Sequence, residues 1–262
     1  MLPLPHLLDT PSGKFMVWGH EAIAQQLFQY GQWEPVNVEL AKRILAGSEY
    51  KNVVDVGANF GPFAVPVARL GHGLVHAFEP QRIIYQQLCG NAFLNGLDNL
   101  IAHEFALGNP PSASDLIDFP DPDYSREINP GALSMLSFGD NDLPRAAYFG
   151  SPARRTRKVR YASLDSLDLA EIGLIKIDVE GAEELVIRGA LDTLIRNRFP
   201  PILFEAWSAD WYREQKDSLL SCLNDFGYEV TLVFDFGIAQ HGTRSDRHHV
   251  EFDEAKGIVV IS

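Results

Sequence analysis

A chain of 262 residues with 46% apolar content can bury a full three-layer core. Its formal charge is −13, from 22 Lys and Arg against 35 Asp and Glu, which argues against a general nucleic-acid binder because phosphate neutralisation needs a basic face; a cationic small ligand suits it better. No apolar run approaches the ~20 residues of a membrane-spanning helix, and Cys89 and Cys222 stand too far apart in sequence to suggest a zinc site or a disulfide framework.

The first residues, Met1 to His6, lack the basic start and apolar core of a signal peptide, so a cytoplasmic protein is expected. Residues 20–47 read as helical: His20 to Tyr30 and Val36 to Ala46 place Ile23, Leu27, Val36, Leu40 and Ile44 at helical intervals, with Gly47-Ser48 as a stop. Residues 1–48 are therefore expected to form a helical preface to a main domain over 49–262. From Asn52 short apolar runs alternate with helical patterns, the rhythm of βαβ units. Strands are predicted at Val53–Gly57, Leu74–Phe78, Leu100–Ala106, Leu174–Val179, Ile202–Ala206, Tyr228–Phe234 and Gly257–Ile261. Helices are predicted at Pro62–Leu70, Arg82–Leu94, Glu183–Asn197 and Asp210–Phe226. The fold class is α/β, a doubly wound, seven-stranded, mainly parallel sheet whose last two strands form an antiparallel pair. Residues from about 109 to 157, rich in Pro, Asp, Ser and Gly, break this rhythm and read as a substrate-side insertion.

Asp55-Val56-Gly57-Ala58-Asn59-Phe60-Gly61 falls at a strand-to-helix turn, the place where doubly wound sheets bind nucleotides. Glycine at 57 and 61 permits positive φ and close approach of a ligand to the backbone. A dinucleotide fingerprint would need glycine where Asn59 and Pro62 stand, which counts against a nicotinamide-dependent oxidoreductase. S-adenosylmethionine carries an ammonium and a sulfonium in place of a pyrophosphate, and Asp55 meets the need for a carboxylate. Glu79, ending the second strand, can accept both ribose hydroxyl hydrogens.

Ile175-Lys176-Ile177-Asp178-Val179-Glu180-Gly181-Ala182-Glu183 repeats the order strand, turn, helix. Asp178 and Glu180 emerge at a carboxyl strand end across the switch point, and a buried acidic pair is expensive unless paired, hydrogen-bonded or protonated, which favours a functional role. Glu183 complements the dipole of the helix it opens. Through Asp55 to Gly61, His76-Ala77-Phe78-Glu79-Pro80, Asn91 to Asn95-Gly96, and Leu164-Asp165-Ser166-Leu167 leading into Lys176 to Glu183, the chain resembles the FkbM family of methyltransferases over about residues 50–262. The resemblance implies a class I, Rossmann-like methyltransferase fold, S-adenosylmethionine as cofactor, and O-methylation of a hydroxyl on a small molecule, a sugar or natural-product scaffold. Carried onto this sequence, the implied cofactor-binding set is Asp55, Gly57, Ala58, Asn59, Gly61, Glu79, Asn95, Ala106 and Asp178. Residues 1–35 and 109–157 match no motif of the family.

Glu205 ends the fifth strand beside the expected cleft, and His248-His249 precede the last strand, where imidazole could serve as a base. The catalytic candidates are thus Asp178, Glu180, Glu205 and His249. No metal ligand is assigned; as an alternative, Asp178, Glu180 and Glu205 could hold a divalent cation, as in catechol-type methyltransferases, since hard cations prefer oxygen. A second alternative is a non-catalytic module that keeps the cofactor fold. Arg154, Arg155, Arg157, Lys158 and Arg160 read as a solvated strand entry more readily than as an anion site. The expected partner is a small-molecule hydroxyl acceptor, with no nucleic acid and no membrane; oligomeric state is left open.

Overall fold

The computed structural model describes residues 5–18, 22–112, 115–121, 156–253 and 258–262. A hairpin opens the chain, β1 (His6–Thr10) with β2 (Gly13–Val17), followed by the helices α1 (Ala22–Tyr30) and α2 (Pro35–Gly47). The helices lie where the apolar spacing puts them, but the preface is not purely helical. Five-residue strands around Pro11-Ser12, with Phe15 and Val17 turned inward, carry too short an alternation to register in the sequence.

The main sheet begins with β3 (Asn52–Val56), α3 (Ala64–Ala68), β4 (Val75–Phe78), α4 (Arg82–Leu94) and β5 (Leu100–His103). A small side sheet follows, made of β6 (Ala106–Leu107), β7 (Asp115–Pro120) and β8 (Thr156–Ala162). The main sheet resumes with β9 (Ile172–Ile177), α5 (Glu183–Arg188), α6 (Leu191–Arg196), β10 (Ile202–Glu205), α7 (Arg213–Asp225), β11 (Tyr228–Val233) and β12 (Phe236–His241). A last hairpin joins β13 (Val250–Asp253) to β14 (Ile258–Ile261).

The order across the sheet is β11-β12-β10-β9-β3-β4-β5, parallel from β10 to β5 and antiparallel where β12 meets β10 and β11. This is the expected doubly wound, seven-stranded, mainly parallel α/β sheet, with one exchange of partners. The seventh strand is β12, and the segment expected to fill that place pairs with β13 instead. The predicted strand Leu100–Ala106 is divided between two sheets. The helix expected over Glu183–Asn197 is broken between α5 and α6, where Gly189 lies so close to the Gly108 carbonyl that a Cβ would come within 1.9 Å of its oxygen.

Apolar side chains alternate between the two faces, as a pleated strand requires. Val53, Leu174 and Leu203 pack with α2, α3 and α4, while Val54, Ile175 and Phe204 pack with α5, α6 and α7. The two ends of the insertion form the antiparallel pair β7 and β8, and residues 122–155 lie outside the described residues. So do Arg154 and Arg155; Arg157, Lys158 and Arg160 are exposed on β8, with Lys158 paired to Asp118 at 2.7 Å, as a solvated strand entry would be.

The N-terminal hairpin is fastened to α4 by side-chain amides. Asn91 accepts the Met16 N–H at 2.7 Å and donates to the Phe60 carbonyl at 2.8 Å, and Gln87 donates to the Met16 carbonyl at 2.7 Å. Asn91 is fully buried, so Asn91→Ala strands two backbone groups and should cost about 3 kcal/mol. Urea unfolding measures this, and an unchanged midpoint would mean that the hairpin is held by packing alone.

Candidate active site

The strand order reverses between β3 and β9, and it is outside the carboxyl ends of such strands that doubly wound sheets bind ligands. Two residues beyond Val53, Leu174 and Leu203, the same face of the sheet carries Asp55, Lys176 and Glu205. Polar groups therefore replace the core where the strands end. The turn after β3 has Gly57 at φ +83°, and a Cβ there would lie 1.8 Å from the Asp178 carbonyl oxygen. Gly61, at φ +94°, is hemmed in by Leu88 and Val65. Both glycines make room for the protein's own atoms, and Gly57 also lines the cleft whereas Gly61 is not among its lining residues.

Lys176 is the fixed cation of the site. It is 5% exposed, with its Nζ 2.9 Å from Asp178 Oδ2 and 4.0 Å from Asp55 Oδ1. Burial alone would pull its pKa down, but the carboxylates of Asp178, Asp55 and Glu34 outweigh burial and hold it above the usual lysine range. Asp55 is completely buried and neither carboxylate oxygen has a hydrogen-bond partner. Burial pushes it up to about 7, against the pull of Lys176 and with the repulsion of Asp178 and Glu34. Asp55, expected to touch the ligand, is not among the residues that line the cleft and faces Lys176 at 4.0 Å. The sequence carried a signal for this lysine: one ammonium inside the otherwise apolar strand Ile172–Ile177 must be paired.

Glu79 closes the neighbouring corner. Its Oε2 accepts the Asn59 N–H at 3.1 Å and its Oε1 the Gln81 N–H at 2.8 Å. Burial drives its pKa up to about 8 despite those two bonds, with Asp55 and Asp178 adding repulsion. Ala106 borders a small cavity of about 40 Å³ shared with Glu79, Phe105 and Gly57.

Past β9, the carboxylate oxygens of Asp178, Glu180 and Glu205 come within 4.8 Å of one another. Glu180 is held at φ 59°, in the left-handed region. Glu205 Oε2 is sealed from solvent without a hydrogen-bond partner, and burial, followed by the charges of Glu180, Asp178 and Glu183, raises its pKa well above the ordinary range. Glu183 serves the turn itself: its Oε1 accepts the N–H groups of Val179 and Gly181, both at 3.1 Å, and its Oε2 accepts the Tyr212 hydroxyl at 2.8 Å.

Two adjoining cavities meet at these residues. One, of about 190 Å³, runs along Gly57, Ala58, Asn59 and Glu79; the other, of about 360 Å³, is walled by Phe234, Phe236 and Val36. They share Trp33, Glu34, Lys176, Asp178, Glu205 and Trp207. Trp33 and Glu34, from the connection between α1 and α2, were not anticipated, because neither lies in a motif or a periodic element. Two expected residues are elsewhere. Asn95 grips the Lys14 backbone at the amino ends of the strands, accepting its N–H at 2.9 Å and donating to its carbonyl at 2.7 Å. His249 is exposed and faces Glu251 at 3.3 Å; its neighbour His248 bonds to Gln240 near the amino end of the sheet, where β12 runs antiparallel to β10. Along the cleft the acids Glu34, Asp178, Glu180 and Glu205 outnumber Lys176, and Glu205 Oε2 is buried without a hydrogen-bond partner, a donor set suited to a ligand with a sulfonium and an ammonium.

The sequence profile described as the methyltransferase FkbM domain matches residues 55–230, two thirds of the chain. The chain belongs to the FkbM methyltransferase family. Its methyl donor is S-adenosylmethionine, and Gly57, Ala58, Asn59, Glu79 and Asp178, expected to bind it, all line the cavity of about 190 Å³. The chain is 27% identical over 206 residues to methyltransferase sdnD of Sordaria araneosa, covering 68% of this chain and 74% of that one. A shorter match, 38% over 71 residues, joins 26% of it to 28% of a tRNA(Phe) (4-demethylwyosine(37)-C(7)) aminocarboxypropyltransferase of Methanocaldococcus jannaschii. Among solved structures, an FkbM methyltransferase of Methylobacillus flagellatus aligns with a TM-score of 0.45 and 16% identity over 72% of this chain. The chain spans 42% of the length of that solved FkbM protein. Among the described residues no helix is long and apolar enough to cross a membrane.

Proposed function

We propose that this FkbM methyltransferase is a cytoplasmic enzyme that methylates a hydroxyl of a small molecule, a sugar or a natural-product scaffold. The observation that carries the reading is the junction of the two cavities at Asp178 and Glu205: one side holds the donor turn and the other offers an aromatic-walled space of about 360 Å³, within the size range of small-molecule sites. The cofactor, when bound, supplies an electrophilic methyl group. The protein supplies position and a proton acceptor. Asp178 is tied to Lys176 at 2.9 Å and so orients the junction, whereas Glu205, destabilised as an anion by burial and by its acidic neighbours, is the base. Two free thiols are consistent with a reducing compartment, and the charge of −13 speaks against a nucleic-acid acceptor.

The test is release of S-adenosylhomocysteine with methyl glycosides, catechol, primary amines and tRNA offered in parallel. Transfer to an oxygen of the glycoside or the phenol is the expected outcome, and transfer to tRNA alone would overturn the reading. The clustering of Asp178, Glu180 and Glu205 within 4.8 Å favours one second reading, a divalent cation that holds two acceptor oxygens. With Glu205 as the base, dialysis against EDTA should leave the rate within about twofold, small beside the ~10²–10⁴-fold that a base contributes. A collapse that Mg²⁺ restores would select the metal-assisted mechanism.

A further inference from the structure

Glu34 lies outside the matched domain, in a stretch that no family motif covers. It nevertheless lines both cavities and stands close enough to Lys176 and Asp178 for their charges to act on it. Its backbone is held at φ 42° and ψ 57°, a left-handed conformation that is strained for any residue with a side chain and that sits just before Pro35. The strain is locked in at the start of α2. The Glu34 carbonyl accepts the N–H groups of Asn37 and Val38 at 3.0 and 3.3 Å, and its Oε2 accepts from Asn37 Nδ2 at 2.9 Å. A glycine would cap this helix without strain, so a glutamate here signals that its carboxylate has work in the cleft.

The chemistry around it is specific. Lys176 is the one Lys or Arg among the described residues lining the junction and is shared among Asp178 at 2.9 Å, Asp55 at 4.0 Å and Glu34. Glu34, whose carboxyl burial pushes up and Lys176 pulls down, is therefore only partly balanced until a cationic ligand arrives. Trp33 and Trp207 border both cavities beside it, and indole faces attract alkylated cations. A carboxylate that shares the lining of both cavities with two indoles is suited to recognise an alkylated positive centre in preference to a neutral one.

We infer that Glu34, with Trp33 and Trp207, is the counter-charge that recognises the sulfonium of S-adenosylmethionine and so distinguishes the charged donor from its neutral product. This rests on the assignment of the Gly57–Asn59 cleft to the donor. The N-terminal segment thereby becomes part of the donor site, and loss of the sulfonium charge on transfer weakens the hold on the product.

Calorimetric titration of the full chain with S-adenosylmethionine and, separately, S-adenosylhomocysteine reads this directly, without an acceptor. Glu34→Gln should weaken binding of the sulfonium form by roughly tenfold, in keeping with loss of a partly buried charge, while S-adenosylhomocysteine stays within about twofold. Glu34→Gly supplies the second variant: it tolerates φ 42°, should melt at or above the temperature of the parent, and should show the same selective loss. Equal weakening of both ligands, or no weakening of either, overturns the inference. Failure of the unaltered protein to bind either ligand would instead overturn the donor assignment, so the two failures are told apart.

Discussion

Glu205→Gln should lower methyl transfer by at least ~10²-fold while leaving the protein as stable as before, or more so at neutral pH and above. The two halves of this expectation come from one fact, that the folded protein disfavours the Glu205 anion. Burial, and then the charges of Glu180, Asp178 and Glu183, raise its pKa well above 4.5. As pH rises from 4.5 towards the folded value, the unfolded chain has lost a proton that the folded chain keeps, so stability falls with pH across that window. An amide does not titrate and removes the penalty. The same discomfort makes the carboxylate, once it has released its own proton, a good proton acceptor for a hydroxyl presented to it. Asp178→Asn is the contrasting variant, because it weakens the 2.9 Å contact that compensates buried Lys176 and should lose stability as well as rate. Thermal melts and initial rates on both variants decide the matter, and unaltered turnover in Glu205→Gln with a lowered melting temperature would reassign Glu205 to structure.

The contrast between these carboxylates shows what a sequence can and cannot display. β3, β4, β9 and β10 were legible because each is a short apolar run ending in an acid or a glycine, and the sheet then placed Asp178 and Glu205 beside the turn after Asp55. The exchange of β12 for the last strand was not legible. Phe236–His241 mixes glycine, glutamine and histidine, and only its pairing with β10 and β11 makes it a central strand. Directions of side chains were the harder problem. Asp55 occupies a position suited to touching a ligand, yet strand alternation turns it under the turn towards Lys176. Asn95 had the look of a motif residue and proved to be a clamp on Lys14. Glu34 and Trp33 reach the site only through the path of a loop, which no local pattern encodes.

Glu79 should make S-adenosylmethionine affinity depend on pH, and the dependence should vanish in Glu79→Gln. Burial pushes this carboxyl up to about 8, so at pH 7 without ligand it largely keeps its proton. Two ribose hydroxyls donating to it would favour the anion, so the proton would leave on binding. Affinity should therefore climb by up to roughly tenfold per pH unit below 8 and level off above it, as one linked proton requires. Stability of the unliganded protein should move the other way. Between 4.5 and about 8 the folded chain holds a proton that the unfolded chain has released, so stability declines through that window, by an amount on the order of a few kcal/mol for a fully buried group. Asp55 also titrates near 7, and the comparison separates the two: calorimetry from pH 6 to 9, in buffers of different ionisation enthalpy, counts the protons released by each form. A steep profile that survives in Glu79→Gln would transfer the linkage to Asp55 and Lys176 beneath the turn, and a flat profile in the unaltered protein would mean that Glu79 already stands ionised against its two backbone N–H partners.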